Sequence, residues 1–404
     1  MITANATRII RRWDDTLAKL EAISARPETM VVHDQNGKVL LTQEFALDYN
    51  GEPNVYTHRS RTQRLMYDYA LQVGVEFVFG KRITDYWEDA ARAGIYIDGE
   101  KIEADAVVAA DGVRSKARRY VTGIDENPKR SGFAVYRSWF SMDALDDELT
   151  RGFATCGKDM NCIWIGTDIH AIVTTNNNLR SVTAFVTHKD DYTLEESWST
   201  PGRTEDMLKV VADWDPRLRA VIEKVPDGAI IDYKLLWRDP VQQWTSKNGR
   251  LLLVGDAAHP HLATSGAGGG QAIEDGATLA ALIDRSGRKD IPMAFKAFEK
   301  LRYERNCLTQ RMGWETRHKW HQTDWERFAN NPEYLKLPQP AWLYGSDAEA
   351  YGYDNYDAVV SHIKIGTPFH NTNIMEGYIH EDWTVNDLMN MERKVGNKDT
   401  YLVK

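Results

Sequence analysis

The 404-residue sequence predicts an α/β protein, α+β in overall arrangement, with a β-rich part inserted into it. Three observations predict this. The apolar runs "VVAA" (107–110) and "LLLV" (251–254) each deliver an acid and a glycine to a turn that leads into a helix-forming stretch, as strands buried on both faces of a parallel sheet do. Between about 130 and 245 short β-rich runs follow one another instead, the mark of a mostly antiparallel sheet. After Pro292, "MAFKAFEKLRYERNCLTQRMGWETRHKW" reads as one long helix.

In chain order, "ETMVVHDQNGKVLLTQEF" (28–45) predicts a hairpin turned at Asn36-Gly37. "HRSRTQRLMYDYALQVG" (58–74) predicts a helix, with Leu65, Met66, Tyr69, Ala70 and Val73 at helical spacing and Gly74 as its stop. "VEFVFG" (75–80) follows as a short strand, "AGIYIDGEKIEAD" as a hairpin turned at Asp98-Gly99, and "AVVAADG" as a buried strand. "FAVYRSWFSM", "CIWIGTDIHAIVTT" and "RSVTAFVTH" are the strands of the antiparallel sheet, and a helix is expected near 204–224. Beyond about 322 the chain is rich in Trp, Tyr, Asn and Asp with little periodicity, which predicts a loop-rich tail packed on the body.

Composition narrows the function. A net charge of −9 and the lack of a basic arm argue against nucleic acid. No run approaches the roughly 18 apolar residues of a membrane span, and the first residues of this sequence show no apolar region of signal-peptide type, so a secretory leader is not expected. Cys156, Cys162 and Cys307 form neither a metal-ligand spacing nor an even framework, so a reduced, cytoplasmic setting is expected. Thirteen tryptophans and 18 tyrosines suit an ordinary core or a pocket for flat apolar ligands.

"LLLVGDAAHPHLATSGAGGGQAIEDGATLAALI" (251–283) carries the chemistry. Asp256 stands at the carboxyl edge of a parallel strand, where α/β folds bind ligands, and could accept hydrogen bonds from the hydroxyls of a sugar or ribitol. The glycines of "GAGGGQ" let backbone N–H groups approach a ligand, and the following helix aims its positive end at it. That suits a group that becomes anionic, such as a reduced flavin ring; it equally suits a plain strand-to-helix turn. "VVAADGVRSKARRY" (107–120) repeats the theme: Asp111-Gly112 form a turn, Ser115 is placed to cap the next helix, and Arg118 lies one turn on. A simple capped turn has the same pattern.

Together these residues resemble the group A FAD-dependent aromatic hydroxylases of the p-hydroxybenzoate hydroxylase fold, in their fungal salicylate-hydroxylase-like branch. "GDAAHP…GAGGGQAIEDGA" is similar to the family's GD motif and "AADGVRSKAR" to its DG motif; "HRSRTQRL", "SGFAVYRSWF", "WRDPVQQW" and "DWDP" add to the likeness, which covers most of residues 1–320. The resemblance implies FAD as cofactor, NADPH or NADH as reductant, and O2 and a small aromatic or indole-like molecule as substrates. A flavin C4a-hydroperoxide would then hydroxylate or epoxidise that molecule in secondary metabolism. It implies cofactor-binding roles for Arg59, Asp111, Gly112, Asp256, Gly268 and Gly269, and an active-site role for Arg137, which by its residue type alone reads as a surface arginine. His170 reads as structural. The implied organisation is a discontinuous FAD-binding Rossmann-like domain (1–27, 46–128 and 246–290), a substrate β-sheet domain (28–45 and 129–245), and the long helix with the C-terminal tail (291–404). Oligomeric state is not readable from the sequence.

The chain departs from the family at its start. Family members open with a GxGxxG βαβ unit of roughly 30 residues, whereas "MITANATRIIRRW" resembles the segment that follows it. The expectation is an N-terminally truncated, incomplete FAD-binding domain, from a misassigned start, a shortened clone or a degenerate gene. A FAD-deficient relative with at most a binding role is therefore the alternative. Ala263 and Ala4 replace family prolines, and Thr174-Thr175 stand where relatives often carry Tyr-Pro. The Trp-x-Trp-x-Ile-Pro segment of flavin halogenases is not found.

Overall fold

The computed structural model describes residues 1–190, 200–322 and 325–388. The predicted hairpin forms as β1 (Thr29–Asp34) and β2 (Val39–Glu44). Its turn is held by Asp34, whose Oδ1 accepts from the N–H groups of Asn36 and Lys38, each at 2.9 Å. Gly37 has φ +86°, and a Cβ there would stand 2.3 Å from Asp215 Oδ2, so glycine is required on both counts. A two-residue pair, β3 (Asp48–Tyr49) and β4 (Glu52–Pro53), leads to the helix Arg59–Gln72. That helix stops before Gly74 (φ +88°), as expected. Its apolar stripe is only half-buried, with Tyr69 stacked on Trp13 at 5.6 Å.

The next expectation fails. Residues 75–80 form no strand: Phe77 and Phe79 fold back on Tyr67, with ring centroids 4.6 and 5.7 Å from it. A strand needs a neighbour to satisfy its backbone, and no strand pairs with this segment among the described residues. Strands β5 (Ile83–Glu88), β6 (Ala93–Ile97) and β7 (Glu100–Ala104) form a separate antiparallel sheet. Asp98 (φ +52°) and Gly99 (φ +84°) make the predicted turn. β8 (Val107–Ala109) is less buried than expected, with Val108 44% exposed.

The β-rich part is one seven-stranded sheet. β9 (Lys129–Ser141), β10 (Asn161–Gly166), β11 (Ile169–Asn176), β12 (Ser181–Lys189) and β13 (Ile230–Trp237) join the hairpin in the order β13-β9-β12-β11-β10-β1-β2. All pairs are antiparallel except β1 with β10. Alternation along β9 sets the two faces. Tyr136 and Phe140 pack with Trp164, Val173, Ala184 and the helices behind the sheet; Val135 and Arg137 point to the opposite side, where the cavities lie. The helix expected near 204–224 is two, Thr204–Val210 and Pro216–Glu223. Pro216 cannot continue a helix but starts one well. Asp215 caps the second by accepting from the Arg217 N–H at 2.9 Å, and also accepts from Trp164 Nε1 at 2.8 Å.

β14 (Leu251–Leu253) pairs in parallel with β8 only, Leu251 opposite Val107. Its other edge bonds to residues 244–246. All three leucines are fully buried, in a core shared with Phe295, Phe298 and Leu301 of the long helix Ile291–Gln322. While 389–404 lie outside the described residues, the described part of the tail, 325–388, is more helical than expected: ahead of a stretch without helix or strand over 366–384 it contains the helices Trp325–Asn330, Ala341–Tyr344 and Ala348–Ile365. The last buries Ala348, Gly352, Tyr356 and Val359, a stripe at helical spacing whose small and aromatic members hide the usual aliphatic signal. A Cβ on Gly352 would lie 3.2 Å from that of Ala281, which shows how closely this helix approaches Gly268–Ser286.

Candidate active site

The turn after β14 is fixed from below. The helix Gly268–Ser286 carries Glu274 and Asp275, and the long helix carries Arg302 and Arg305; all four side chains are essentially inaccessible. Arg302 donates to Glu274 Oε2 (2.5 Å) and Asp275 Oδ1 (2.8 Å), Arg305 donates to both Glu274 oxygens (2.8 and 2.7 Å), and Asn5 Nδ2 donates to Glu274 Oε1 (2.7 Å). Asp275 Oδ2 accepts from the N–H of Gly255 (2.9 Å) and pairs with His259 Nε2 (2.6 Å). Burial pushes the Glu274 carboxyl up, but Arg305 and Arg302 outweigh it and hold it down at about 2. Asp275 is likewise held below the usual carboxylate range, burial being outweighed by His259 and Arg302.

Above this network Asp256 opens into a cavity of about 280 Å³ together with Arg59, Gly266, Gly268 and Gly269. Its carboxylate is accessible from the cavity, yet the surrounding protein raises its pKa, with His259 and Arg59 acting the other way. The glycines have different reasons to be glycine. A Cβ on Gly268 would lie 3.0 Å from His261 Cβ, and one on Gly270 would lie 2.5 Å from Thr3 Oγ1. On Gly269 the nearest atom would be Ile2 Cδ1 at 4.0 Å, so a side chain there would fill open space instead. The first N–H groups of a helix have no partner within it, and those of Gly268–Ser286 sit beside this bare surface. Such a cradle fits the ring and ribityl half of a flavin.

Asp111 is placed differently. Its Oδ2 accepts from the Tyr86 hydroxyl (3.1 Å) and from the N–H groups of Lys116 (2.9 Å) and Ala117 (3.3 Å). Gly112 turns the chain at φ +80°. Neither lines the Asp256 cavity, although their neighbour Val113 does. Ser115 caps the helix Lys116–Thr122 by accepting from the Arg118 N–H at 2.9 Å. The buried Arg118 guanidinium then donates to the carbonyls of Ala257 (3.2 Å), Ala258 (2.7 Å) and Asp239 (2.8 Å). It ties the two acid-glycine turns into one body.

Two further cavities adjoin the first. One of about 250 Å³ is lined by both Arg59 and Arg137; the other, of about 330 Å³, runs from Arg137 to His170, Trp320 and Tyr344. Burial lowers the Arg137 pKa and the positive charge of Arg59 adds to this, while Tyr233 opposes it. Two guanidinium groups held near each other in a partly desolvated space favour an electronegative ligand group between them. His170, Tyr233, Trp320, Gln339 and Tyr344 line the largest of these three cavities and were not singled out from the sequence as site residues. Alternation along β11 could have found His170, since it shares a face with Ile172 and Thr174. Nothing local marks Gln339 or Tyr344, which reach the cavity only through the fold of the tail.

A model of the FAD binding domain family matches residues 18–286. The chain is 34% identical to the asperlicin C monooxygenase of Petromyces alliaceus over 91% of its own length and 81% of the relative's. It is 30% identical to the FAD-dependent monooxygenase nodY2 of Hypoxylon pulicicidum, over 93% and 83%. The crystal structure of CtdE in complex with FAD and a substrate superposes with a TM-score of 0.83 at 31% identity, covering 90% of this chain and 89% of that one.

Proposed function

This chain belongs to the family of FAD-dependent monooxygenases, and from that premise we propose that it uses NADH or NADPH and O2 to hydroxylate or epoxidise a small aromatic or indole-like molecule in fungal secondary metabolism, in the cytoplasm. FAD, when bound, supplies the acceptance of a hydride and the activation of oxygen. Asp256 would hold ribityl hydroxyls, and Gly268, Gly269 and the helix start behind them the pyrimidine edge of the ring. Arg59 would meet the ring from the side of the helix it begins. Asp111 and Gly112 would act by shaping the turn that places Val113. Arg137 would orient the substrate through a phenolate, carboxylate or carbonyl oxygen, and the apolar walls beyond it would exclude water. The observation that carries this reading is the adjoining placement of the Asp256 cavity and the Arg137 cavity, with Arg59 between them.

The test begins with the full chain, FAD added, excess removed, and the visible spectrum recorded. A flavin band at the protein's stoichiometry is expected, weakened in Asp256→Asn. Arg137→Ala should keep that band and lower kcat/KM about 100-fold, the scale for losing one charged contact to the reacting group. A folded protein without the band would leave only a binding role.

A further inference from the structure

We propose that His170, backed by His321, is a hydrogen-bonding anchor of the largest of the three cavities described, and that it selects a flat aromatic substrate bearing a ring carbonyl. The proposal rests on the reading above only in taking this cavity for the substrate's. Its walls are otherwise mainly apolar, with Ile163, Ile172, Phe185, Trp320 and Leu337 among them. In such a space a few polar groups fix orientation, and His170 lines this cavity without also lining the Arg59–Arg137 cavity already described.

The His170 ring stands edge-on to Trp320, with centroids 5.3 Å apart, and is 5% exposed. Its Nδ1 lies 2.8 Å from His321 Nε2 and 3.3 Å from Thr187 Oγ1. The Thr187 hydroxyl already donates to the His170 carbonyl at 3.0 Å. Nδ1 being engaged, Nε2 is the ring nitrogen left for a cavity ligand. Burial lowers the pKa of His170 to about 4, with Arg317 adding to this, and that of His321 to about 2, with His170 and Arg317 acting in the same direction. Both rings are therefore neutral near pH 7, and each carries one N–H.

Two arrangements of those protons exist. If His170 donates from Nδ1, the His321 proton must sit on its Nδ1, which is buried with no hydrogen-bond partner among the described residues. If His321 donates from Nε2, its Nδ1 is a bare acceptor and the His170 proton moves to Nε2, where it faces the cavity. A buried N–H without an acceptor is the rarer and less favourable state, so the second arrangement holds. His170 then presents a donor, and the matching ligand group is a carbonyl oxygen.

The experiment measures binding of three probes of one shape to the full chain with FAD added: naphthalene, quinolin-2(1H)-one and 1-methylquinolin-2-one. His170→Phe should weaken both quinolinones about tenfold, the scale of one buried hydrogen bond with its unpaired carbonyl, and leave naphthalene within about twofold. His170→Gln, which keeps a donor, should recover part of the loss. His321→Phe should weaken the quinolinones, and His321→Gln, which can donate to Nδ1, should restore them. Equal losses for naphthalene and the quinolinones would make the pair a packing element and overturn the proposal. So would a loss confined to the N–H form, or failure of all three probes to bind the unmodified chain. These readouts need no turnover, so an inactive enzyme that still discriminates the probes would count against the monooxygenase reading alone.

Discussion

The seven-stranded sheet and the outer strand of the parallel pair, β8, are built from the same kinds of residue and end in opposite states. In β10 every residue is buried, and Ile163, Trp164 and Ile165 have no more than 1% of their surface accessible. In β8, Val108 is 44% exposed, and in the segment before β5 Val78 and Phe79 are 76% and 72% exposed. β-propensity and apolar character are satisfied only where another layer covers them. The turn after β14 has a second support besides the buried leucines of that strand, the Glu274–Arg302–Asp275 network, in which Asp275 accepts from the Gly255 N–H. The difference teaches that the ring half of the site and the sheet beside it are held by separate interactions.

That separation can be broken or sharpened by substitution. The largest effect is expected from Arg302→Ala, which strips two buried carboxylates of their shared partner. Loss of one member of such a network costs about 3–5 kcal/mol, read as a shift of the urea midpoint and accompanied by loss of flavin. Acid should act on the same group. The Glu274 carboxyl is depressed in the folded state, so its stabilisation is complete above the unfolded value of 4.5 and is lost as the pH falls toward about 2. A melting temperature that declines over that window in the native protein, and declines less steeply in Glu274→Gln, is the expected result. In the covered sheet, Ile165→Val should cost about 1 kcal/mol through the lost methylene and its void. The smallest effect belongs to Phe79→Ser in the uncovered region: stability within about 0.5 kcal/mol and weaker binding of an apolar dye. A loss like that of Ile165→Val there would mean that the 75–80 segment is covered in solution.

Periodicity made most of the strands legible, as did the hairpins at Asn36-Gly37 and Asp98-Gly99, because turn chemistry and alternation are local. The same held for the cap at Ser115 and the glycine loop. What stayed hidden was set at long range. Whether "VEFVFG" becomes a strand depends on a neighbour that its own residues cannot specify. The tail's last long helix buries a mixed stripe of Ala, Gly, Tyr and Val, and its register against Gly268–Ser286 is visible only in three dimensions. The site divided along the same line: Asp256, Arg59, Gly268 and Gly269 reach a shared cavity with Asp256 announced by its own strand and turn, whereas His170 depended on a helix 151 residues further on.

The contact between Asn5 and Glu274 spans 269 positions, and it has a consequence for how the protein is made. As the chain is made, the helix Ala4–Ile10 can bond early to residues 53 and 54, Thr7 Oγ1 donating to the Pro53 carbonyl and the Ala4 N–H to Asn54 Oδ1, but the Asn5 amide must wait for Glu274, and Glu274 for Arg302 and Arg305. The β1–β2 hairpin can form at once, but β8 must wait for β14. Contacts this distant in sequence form slowly and leave apolar surface open in the meantime. The contacts that Glu274 makes beneath the glycine turn are thus completed late in biosynthesis.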